Sequence, residues 1–569
     1  MKANSVYEKR PWLGFYPKDV PADIEVPRKS VVQAFNDSTE KWRDRTAIIF
    51  YGARITYGDL REKVDRFATA LSGLGIKKGD VVAFLMLNSP EHIIAFYATI
   101  KLGAIVTPVS PVYVSSEIKH QLKDSGAETI ICQDILYEAV EKTGIKLKNV
   151  ILTNISESLP RLKKLMGKSV LRGVYQKMAA PSVETLSQKG FYQMQELIKK
   201  YPPDAPEVDI NPEEDVMNLP YTGGTTGQPK GVMITHRGVI ANDIQYHSFY
   251  PFLEDGEEMI VAYMPFYHAG GQFTALLSGI MRGATLVVIT NPDPDDVLGA
   301  VAKNGATMFV GAPAMYELLK DYEKTDRVDW KRLKIIASGA DALNERTARD
   351  WEARTGTQLH DIYGQTELFA LSHGTPLGKQ KIGTVGIPLP STIAGILDPE
   401  KDEFMDFGEL GEICVRFDCS QVCKGYWKNP EATEDCLATI DGQKWWRTGD
   451  LGRMDDDGYF HIYDRKRDLI KYKGLRIYAR EVEEVLRNHP LIKEAGVIGV
   501  PDIKVGENVK AMVVLESDGR GNLSEEDIIA YCKDKLTPYK IPRIIEFVGE
   551  IPRTDVGKVS RRELREEEL

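Results

Sequence analysis

Cysteine is scarce in this chain: six in 569 residues (Cys132, Cys414, Cys419, Cys423, Cys436 and Cys532), with no paired spacing. That excludes a disulfide-stapled scaffold and points to a reducing interior. Cys419-x-x-x-Cys423 would make half a metal site, but no Cys or His pair follows nearby, so both are assigned to structure. An excess of positive charge is also missing. Lys and Arg number 73 against 83 Asp and Glu, net −10, where nucleic-acid binders are usually basic. No apolar run reaches transmembrane length. The stretch Met1–Arg10 lacks the apolar core of a signal peptide, so the expected location is the cytoplasm. There is no G-x-x-x-x-G-K-[ST] loop, which excludes an ordinary P-loop phosphotransferase. No Ser-His-Asp or Cys-His arrangement is evident.

What is there is a soluble globular composition, 43% hydrophobic and 27% charged, in a chain long enough for two or three domains. Strand and helix patterns alternate from the start. Ser30–Trp42 has helical apolar spacing, after a Pro-rich segment 1–28 expected to lie on the surface as an arm. Thr46–Tyr51 and Arg54–Thr56 pair about a Gly52-Ala53 turn, and Thr56 caps a helix over 57–74. Buried strands follow at 81–86, 105–108, 129–132 and 149–152, with Ser89-Pro-Glu opening a helix. This is the pattern of an α/β fold with parallel-type sheets. Gly/Pro punctuation between short strands makes the region after about 380 β-rich. From about 468 a small α+β unit of roughly 100 residues begins. The expected division is a large domain of several parts over 1–465 and a small domain over 466–569, with a hinge near Arg467.

The segment 158–200 breaks the pattern, with nine Lys or Arg against two acids, interleaved with leucines and methionines. Such a basic amphipathic stretch suits an anionic membrane surface at the inner face. It suits equally a helix packed on the protein with a solvated basic face, the commoner outcome.

The chain is organised around Tyr221-Thr-Gly-Gly-Thr-Thr-Gly-Gln-Pro-Lys-Gly231. Gly223, Gly224 and Gly227 let the backbone approach a ligand. Successive N–H groups make an anion-holding concavity. Thr222, Thr225 and Thr226 add donors, and Lys230 adds a compact charge. Apolar residues flank it on both sides, so strand–loop–strand is expected, with a solvated hairpin as the alternative. Further on, Tyr363-Gly364-Gln365-Thr366-Glu367 offers an aromatic for a base, a glycine for close approach, a phosphate donor and a carboxylate suited to Mg²⁺. At Gly339-Ala340-Asp341 two small residues would let a flat ring lie against the backbone.

These motifs resemble, in order, those of the adenylate-forming enzymes, most of all medium- and long-chain fatty acyl-CoA synthetases. The resemblance spans about Ser30 to Arg562, and 158–200 falls where long-chain members carry a variable insertion. It implies ATP, Mg²⁺ and coenzyme A as cofactor and co-substrates of a fatty acid ligase that forms acyl-AMP and then acyl-CoA. It implies roles as well. Gly339, Ala340 and Asp341 form the adenine turn. Asp450, in Thr448-Gly-Asp450, takes the ribose hydroxyls, and Arg465 takes ribose or phosphate. His268, in Pro265-x-x-His268-x-x-Gly271, and Gly311 line the acyl pocket. Lys558, in Pro552-Arg-Thr-x-x-Gly-Lys558, is catalytic together with Glu367 and Thr366. Arg467 is the pivot, and Lys471, Lys473 and Gly474 reach the CoA side after rotation. The chain departs from the family pattern in Asp341 where alanine is commoner, Arg467 where Asp or Lys is usual, and Ala479 where Pro is usual. Homodimers are common among such enzymes. An aryl- or branched-acid ligase of the same fold, or a non-catalytic nucleotide or acyl sensor, are the alternatives.

Overall fold

Runs of consecutive apolar residues, rather than alternating ones, suit strands covered on both faces, the situation of a parallel sheet wrapped in helices. Val81–Leu85 is such a strand, with every residue buried, and so is Asn149–Thr153. The computed structural model describes residues 7–160, 189–223, 228–473, 475–516, 523–553 and 559–566. Its first large sheet has seven strands, among them Val81–Leu85, Ile105–Pro108, Thr129–Gln133 and Asn149–Thr153, all parallel to their neighbours. The second has nine strands. At its centre Thr46–Phe50, Met259–Ala262, Thr285–Val288, Met308–Gly311, Ile335–Ser338 and His360–Tyr363 run parallel. A five-stranded sheet follows, antiparallel throughout, including Gly411–Arg416, the long strand Gln443–Met454 and Phe460–Arg465.

Helix starts follow local chemistry. Ser30 and Thr56 each close a reciprocal capping box, with Gln33 and Asp59, opening Val31–Lys41 and Tyr57–Gly73. Ser89 accepts from His92 N–H ahead of Pro90. The N-terminal arm differs from expectation. Tyr7 and Trp12 are buried, Pro11–Phe15 forms a 3₁₀ turn, and the Tyr16 hydroxyl donates to the Pro388 carbonyl at 2.7 Å. Its aromatics dock the arm on the β-rich part, because burying them outweighs the Pro-rich backbone's preference for a solvated path.

The C-terminal part has a core of its own, built from Ile470, Ile477, Val482, Leu486, Val497, Ala511 and Val513 among others. Its sheet has five strands, led by the hairpin Ile492–Asp502 and Gly506–Leu515. It forms a separate α+β domain. Polar contacts join it to the last strand of the β-rich sheet. Arg480 N–H donates to Asp464 at 3.0 Å, and Arg561, held by Glu483 of its own domain at 2.8 Å, reaches Asp464 at 3.3 Å. Burial lifts the Asp464 carboxyl to about 6, opposed by the Arg561 charge. No helix among the described residues is long and apolar enough to cross a membrane. Of the segment 158–200, residues 161–188 lie outside the described ones.

Candidate active site

Ligands of open parallel sheets sit outside the carboxyl ends of the strands. Here both large sheets aim those ends at one cavity of about 700 Å³. Ser110 and Tyr113 come from beyond Ile105–Pro108 and Thr222 from beyond Val216–Asn218. The other sheet supplies Met264 and His268, then Val310 and Gly311, then Gly339 and Ala340, then Gly364 to Glu367. The β-rich sheet closes the cavity with Glu412, Arg447, Thr448 and Gly449, and the chain leaves through Arg465, Lys466 and Arg467.

The glycine-rich stretch is a hairpin, with Tyr221–Gly223 antiparallel to Pro229–Gly231 and Lys230 directly opposite Thr222. Side chains opposite one another share a face, so the lysine and the threonine are presented together. The Tyr221 hydroxyl donates to Asp124 at 2.6 Å and ties the hairpin to the helix Ser115–Ser125. The tip, Gly224, Thr225, Thr226 and Gly227, lies outside the described residues, as do Gly474 and Lys558.

Beyond Tyr363 the backbone folds tightly. A Cβ on Gly364 would stand 1.6 Å from the Ala370 carbonyl oxygen, so only glycine fits. Ala340 (φ 73°), Phe369 (φ 38°) and Ala370 (φ 79°) sit in the left-handed region, strain of a kind that clusters at ligand clamps. Glu367 is 8% exposed. Its Oε1 accepts from the Tyr426 hydroxyl at 2.9 Å and from Thr222 Oγ1 at 3.3 Å. Burial and the nearby Glu367 charge push the Tyr426 phenol far up, so it stays protonated. Lys230 Nζ stands 5.2 Å from the centre of the Tyr426 ring.

Behind the opposite wall, and not itself lining the cavity, Asp450 is buried. Arg465 Nε lies 2.7 Å from its Oδ1, and the Tyr363 hydroxyl donates to Oδ2 at 2.7 Å. Glu412, also buried, receives Gly449 N–H at 3.0 Å, Arg447 at 2.8 Å and Lys466 at 3.2 Å. It thereby fixes the turn before Asp450 and the first residue past Arg465. Beside Met264, Gly270 N–H donates to His268 Nδ1 at 3.3 Å, so the neutral ring carries its proton on Nε2.

Of the residues singled out from sequence, Thr222, Lys230, His268, Gly311, Gly339, Ala340, Gly364, Gln365, Thr366, Glu367, Arg465 and Arg467 line the cavity. Others do not. Tyr363 is buried behind it, paired with Asp450, because antiparallel register sets Asp450 against Arg465 and leaves the tyrosine hydroxyl as its second donor. Asp341 is exposed and accepts from its own neighbour Ala342 N–H at 2.8 Å. Lys471 borders a separate small crevice with Glu400 and Arg476, and Lys473 sits on the adjoining turn. Among the described residues, none beyond Arg467 lines the cavity. Sequence reasoning passed over Tyr426, Glu412, Arg447 and Lys466. The Lys424-Gly-Tyr-Trp427 and Gly408-Glu-Leu-Gly-Glu412 stretches carry no local sign of their partners, which lie in other strands.

Among the described residues no group of three or more His, Cys, Asp or Glu is placed to hold a metal ion. One buried carboxylate, whose Oε2 forms no hydrogen bond with described residues, fits magnesium, which takes one or two carboxylates and completes its octahedron with substrate phosphates and water. Cys419 and Cys423 are buried and unpaired.

Two family models match the chain: "AMP-binding enzyme" over residues 35–427 and "AMP-binding enzyme C-terminal domain" over 481–558. A long-chain-fatty-acid–CoA ligase from Bacillus subtilis is 36% identical over 563 residues, covering 98% of both chains. The crystal structure of ATP-bound MatB from Rhodopseudomonas palustris superposes with a TM-score of 0.80 at 25% identity, covering 95% of this chain and 99% of that one. That of the anthranilate CoA ligase AuaEII with anthranoyl-AMP gives 0.79 at 24% identity over 96% and 98%, a likeness of fold.

Proposed function

The chain belongs to the family of AMP-binding enzymes, and from that premise we propose how its cavity works. The protein is an ATP-dependent, AMP-forming acid–CoA ligase acting on fatty acids, with magnesium as cofactor. A carboxylate oxygen of the fatty acid attacks the α-phosphorus of ATP. The bond to the β-phosphate oxygen breaks, and acyl-AMP and pyrophosphate form. The thiol sulfur of CoA then attacks the acyl carbonyl, its proton passes to solvent, and AMP leaves with the electrons of the broken acyl–oxygen bond. The observation that carries this is one continuous cavity with a cationic, carboxylate-bearing end at Lys230, Glu367, Arg447 and Arg465 and an apolar end at Met264, Val310 and Gly311.

Both steps need charge neutralisation and positioning more than proton transfer. Thr222, Lys230 and the hairpin tip 223–227 are assigned to the β- and γ-phosphates, and Thr366 to a phosphate oxygen. Glu367 would hold magnesium, which supplies positive charge to the phosphates. Gly339, Ala340, Gly364 and Gln365 are assigned to adenine, and Asp450, backed by Arg465 and Tyr363, to ribose. His268, with Nε2–H as donor, and Gly311 belong to the acid end. Lys558 is assigned to the carboxylate and α-phosphate in the first step. Rotation of residues 466–569 about Arg467 would withdraw it and present Lys471, Lys473 and Gly474 for CoA. For the basic segment 158–200 the first reading is a helix packed on the protein and the second is peripheral contact with anionic lipid, and co-sedimentation with anionic and neutral vesicles separates them. A homodimer is the assembly to test by light scattering.

The deciding experiment is pyrophosphate release from Mg-ATP with acetate, octanoate, palmitate and benzoate, with and without CoA. Sustained release only with CoA, strongest on octanoate to palmitate, is expected. Preference for benzoate or short branched acids would make it an aryl- or branched-acid ligase instead. Nucleotide binding without release on any acid would make it a sensor.

A further inference from the structure

Two opposite charges face the same cavity and do not neutralise each other. Lys230 forms no ion pair with Glu367 or with any other described carboxylate, although both line the phosphate-side wall. A buried carboxylate and a lysine lining one cavity would ordinarily gain by pairing. Two side chains link the positions: Thr222, opposite Lys230 on the hairpin, donates to Glu367 Oε1 at 3.3 Å, and the one that touches both groups is Tyr426. Its hydroxyl donates to Glu367 Oε1, and Lys230 Nζ sits over its ring face, the favourable place for an ammonium.

Tyr426 is itself held in place by main chain. Gly425 (φ 109°) turns the chain, and residue 426 bridges to Val232. Trp427 N–H donates to the Gly231 carbonyl at 2.8 Å, and Met233 N–H to the Gly425 carbonyl at 3.0 Å. This stitches the segment to the strand end just past Lys230. Its other end is tied at the second charge, where Cys423 N–H donates to the Glu367 carbonyl at 2.8 Å. Tyr426 N–H donates to Thr433 Oγ1, and the ring packs on Trp446 with centroids 5.7 Å apart. Backbone and side chain of one segment therefore span the two charged positions.

We propose that Tyr426 is a positioning residue of the nucleotide–metal site. Its hydroxyl occupies Glu367 Oε1 and leaves Oε2 for the divalent cation. Its ring carries Lys230 toward the phosphates and keeps the lysine from collapsing onto the carboxylate. This rests on the ligase assignment of the cavity, and the test separates the two.

The measurement is titration calorimetry of the full-length wild type, Tyr426→Phe and Tyr426→Leu with α,β-methylene-ATP, which cannot be cleaved at the reacting bond, with and without Mg²⁺. Tyr426→Phe keeps the ring and loses only the hydroxyl. Its metal-free affinity should stay within about twofold of wild type, while the gain on adding Mg²⁺ falls roughly tenfold, the scale of one hydrogen bond to a charged group. Tyr426→Leu, lacking the ring, should weaken metal-free binding as well. A Tyr426→Phe protein that keeps the full magnesium gain, or loses both affinities equally, overturns the proposal. If Tyr426→Leu does not fold, Tyr426→Phe decides alone. A wild type whose binding of the analogue gains nothing from Mg²⁺ would sink the ligase assignment itself, whatever the variants do.

Discussion

Arg465 faces Asp450 directly across two antiparallel strands, its Nε 2.7 Å from the aspartate Oδ1. The pair puts the last residue before the hinge segment in contact with the carboxylate assigned to ribose. Asp450→Asn keeps an oxygen for the Tyr363 hydroxyl and removes the charge. It should weaken ATP binding about tenfold, equal to about 1.4 kcal/mol, with little change in melting temperature. Asp450→Ala, which leaves Arg465 without its partner, should lower both. Calorimetric titration with ATP beside a thermal melt checks this, and unchanged affinity in the Asn variant would remove Asp450 from the nucleotide site.

Lys558 should matter to one half of the reaction only. Lys558→Ala is expected to cut acid-dependent pyrophosphate–ATP exchange at least about a hundredfold, the scale of losing one preorganised charge at a reacting centre. Conversion of supplied acyl-AMP and CoA to acyl-CoA should stay within severalfold of wild type. Equal losses in both half-reactions would tie the lysine to something other than the first step.

The acid end can be narrowed without disturbing the nucleotide end. A Cβ on Gly270 meets nothing closer than 3.6 Å, whereas one on Gly271 would stand 2.4 Å from the Pro265 carbonyl oxygen. Gly270 lines the cavity, so Gly270→Leu should shift the preferred acid from palmitate toward octanoate with ATP affinity unchanged. Kinetics across a series of acids reads this out, and an unaltered chain-length profile would place the acyl chain elsewhere. Gly271→Ala should fail to fold normally.

A buried carboxyl makes stability depend on pH. Glu91 is fully buried. Ser158 Oγ donates to its Oε1 at 2.5 Å and Gln195 Nε2 at 3.4 Å, and burial lifts it to about 7. An unfolded glutamate releases its proton near 4.3. Between that value and about 7 the folded protein holds a proton the unfolded chain has lost. This one group therefore lowers stability as pH rises through the window, by up to roughly 1.4 kcal/mol per unit, and contributes no further slope above it. Glu91→Gln should gain on wild type from pH 5 to 7 and hold a constant lead at pH 8, in urea unfolding followed at each pH. His92, lowered to about 4 by burial, works in the opposite direction but is common to both proteins. Parallel pH profiles would show that Glu91 is ionised in the folded state throughout.

Features decided within a few residues were legible in the sequence. The caps at Ser30, Thr56 and Ser89 need only a side chain and the N–H groups beside it, and the hairpin at Tyr221–Gly231 is punctuated by its own glycines. Features decided by partners far along the chain were not. Nothing near Tyr363 announces that its hydroxyl meets a carboxylate 87 positions later. The register of that strand also shifts between Leu451 and Gly452. Nothing near Tyr426 signals the Val232 bridge or the contacts with Lys230 and Glu367. The Pro-rich segment reads as an arm lying on the surface because prolines are easy to see and the sites that bury Trp12 and Tyr16 are not. The six-residue π-helix Gln272–Leu277 beside the cavity has no local sequence mark either.

The residues assigned to the acid come from the ends of separate strands, Met264 to Gly270 after one and Val310 with Gly311 at the close of another. Each is reached by its own short stretch of chain, apart from the hairpin and the turn assigned to ATP. Mutations can therefore sample new substrates one strand end at a time, while the groups assigned to ATP are inherited intact. Such an architecture lets a lineage diversify its diet of acids without reinventing how it activates them.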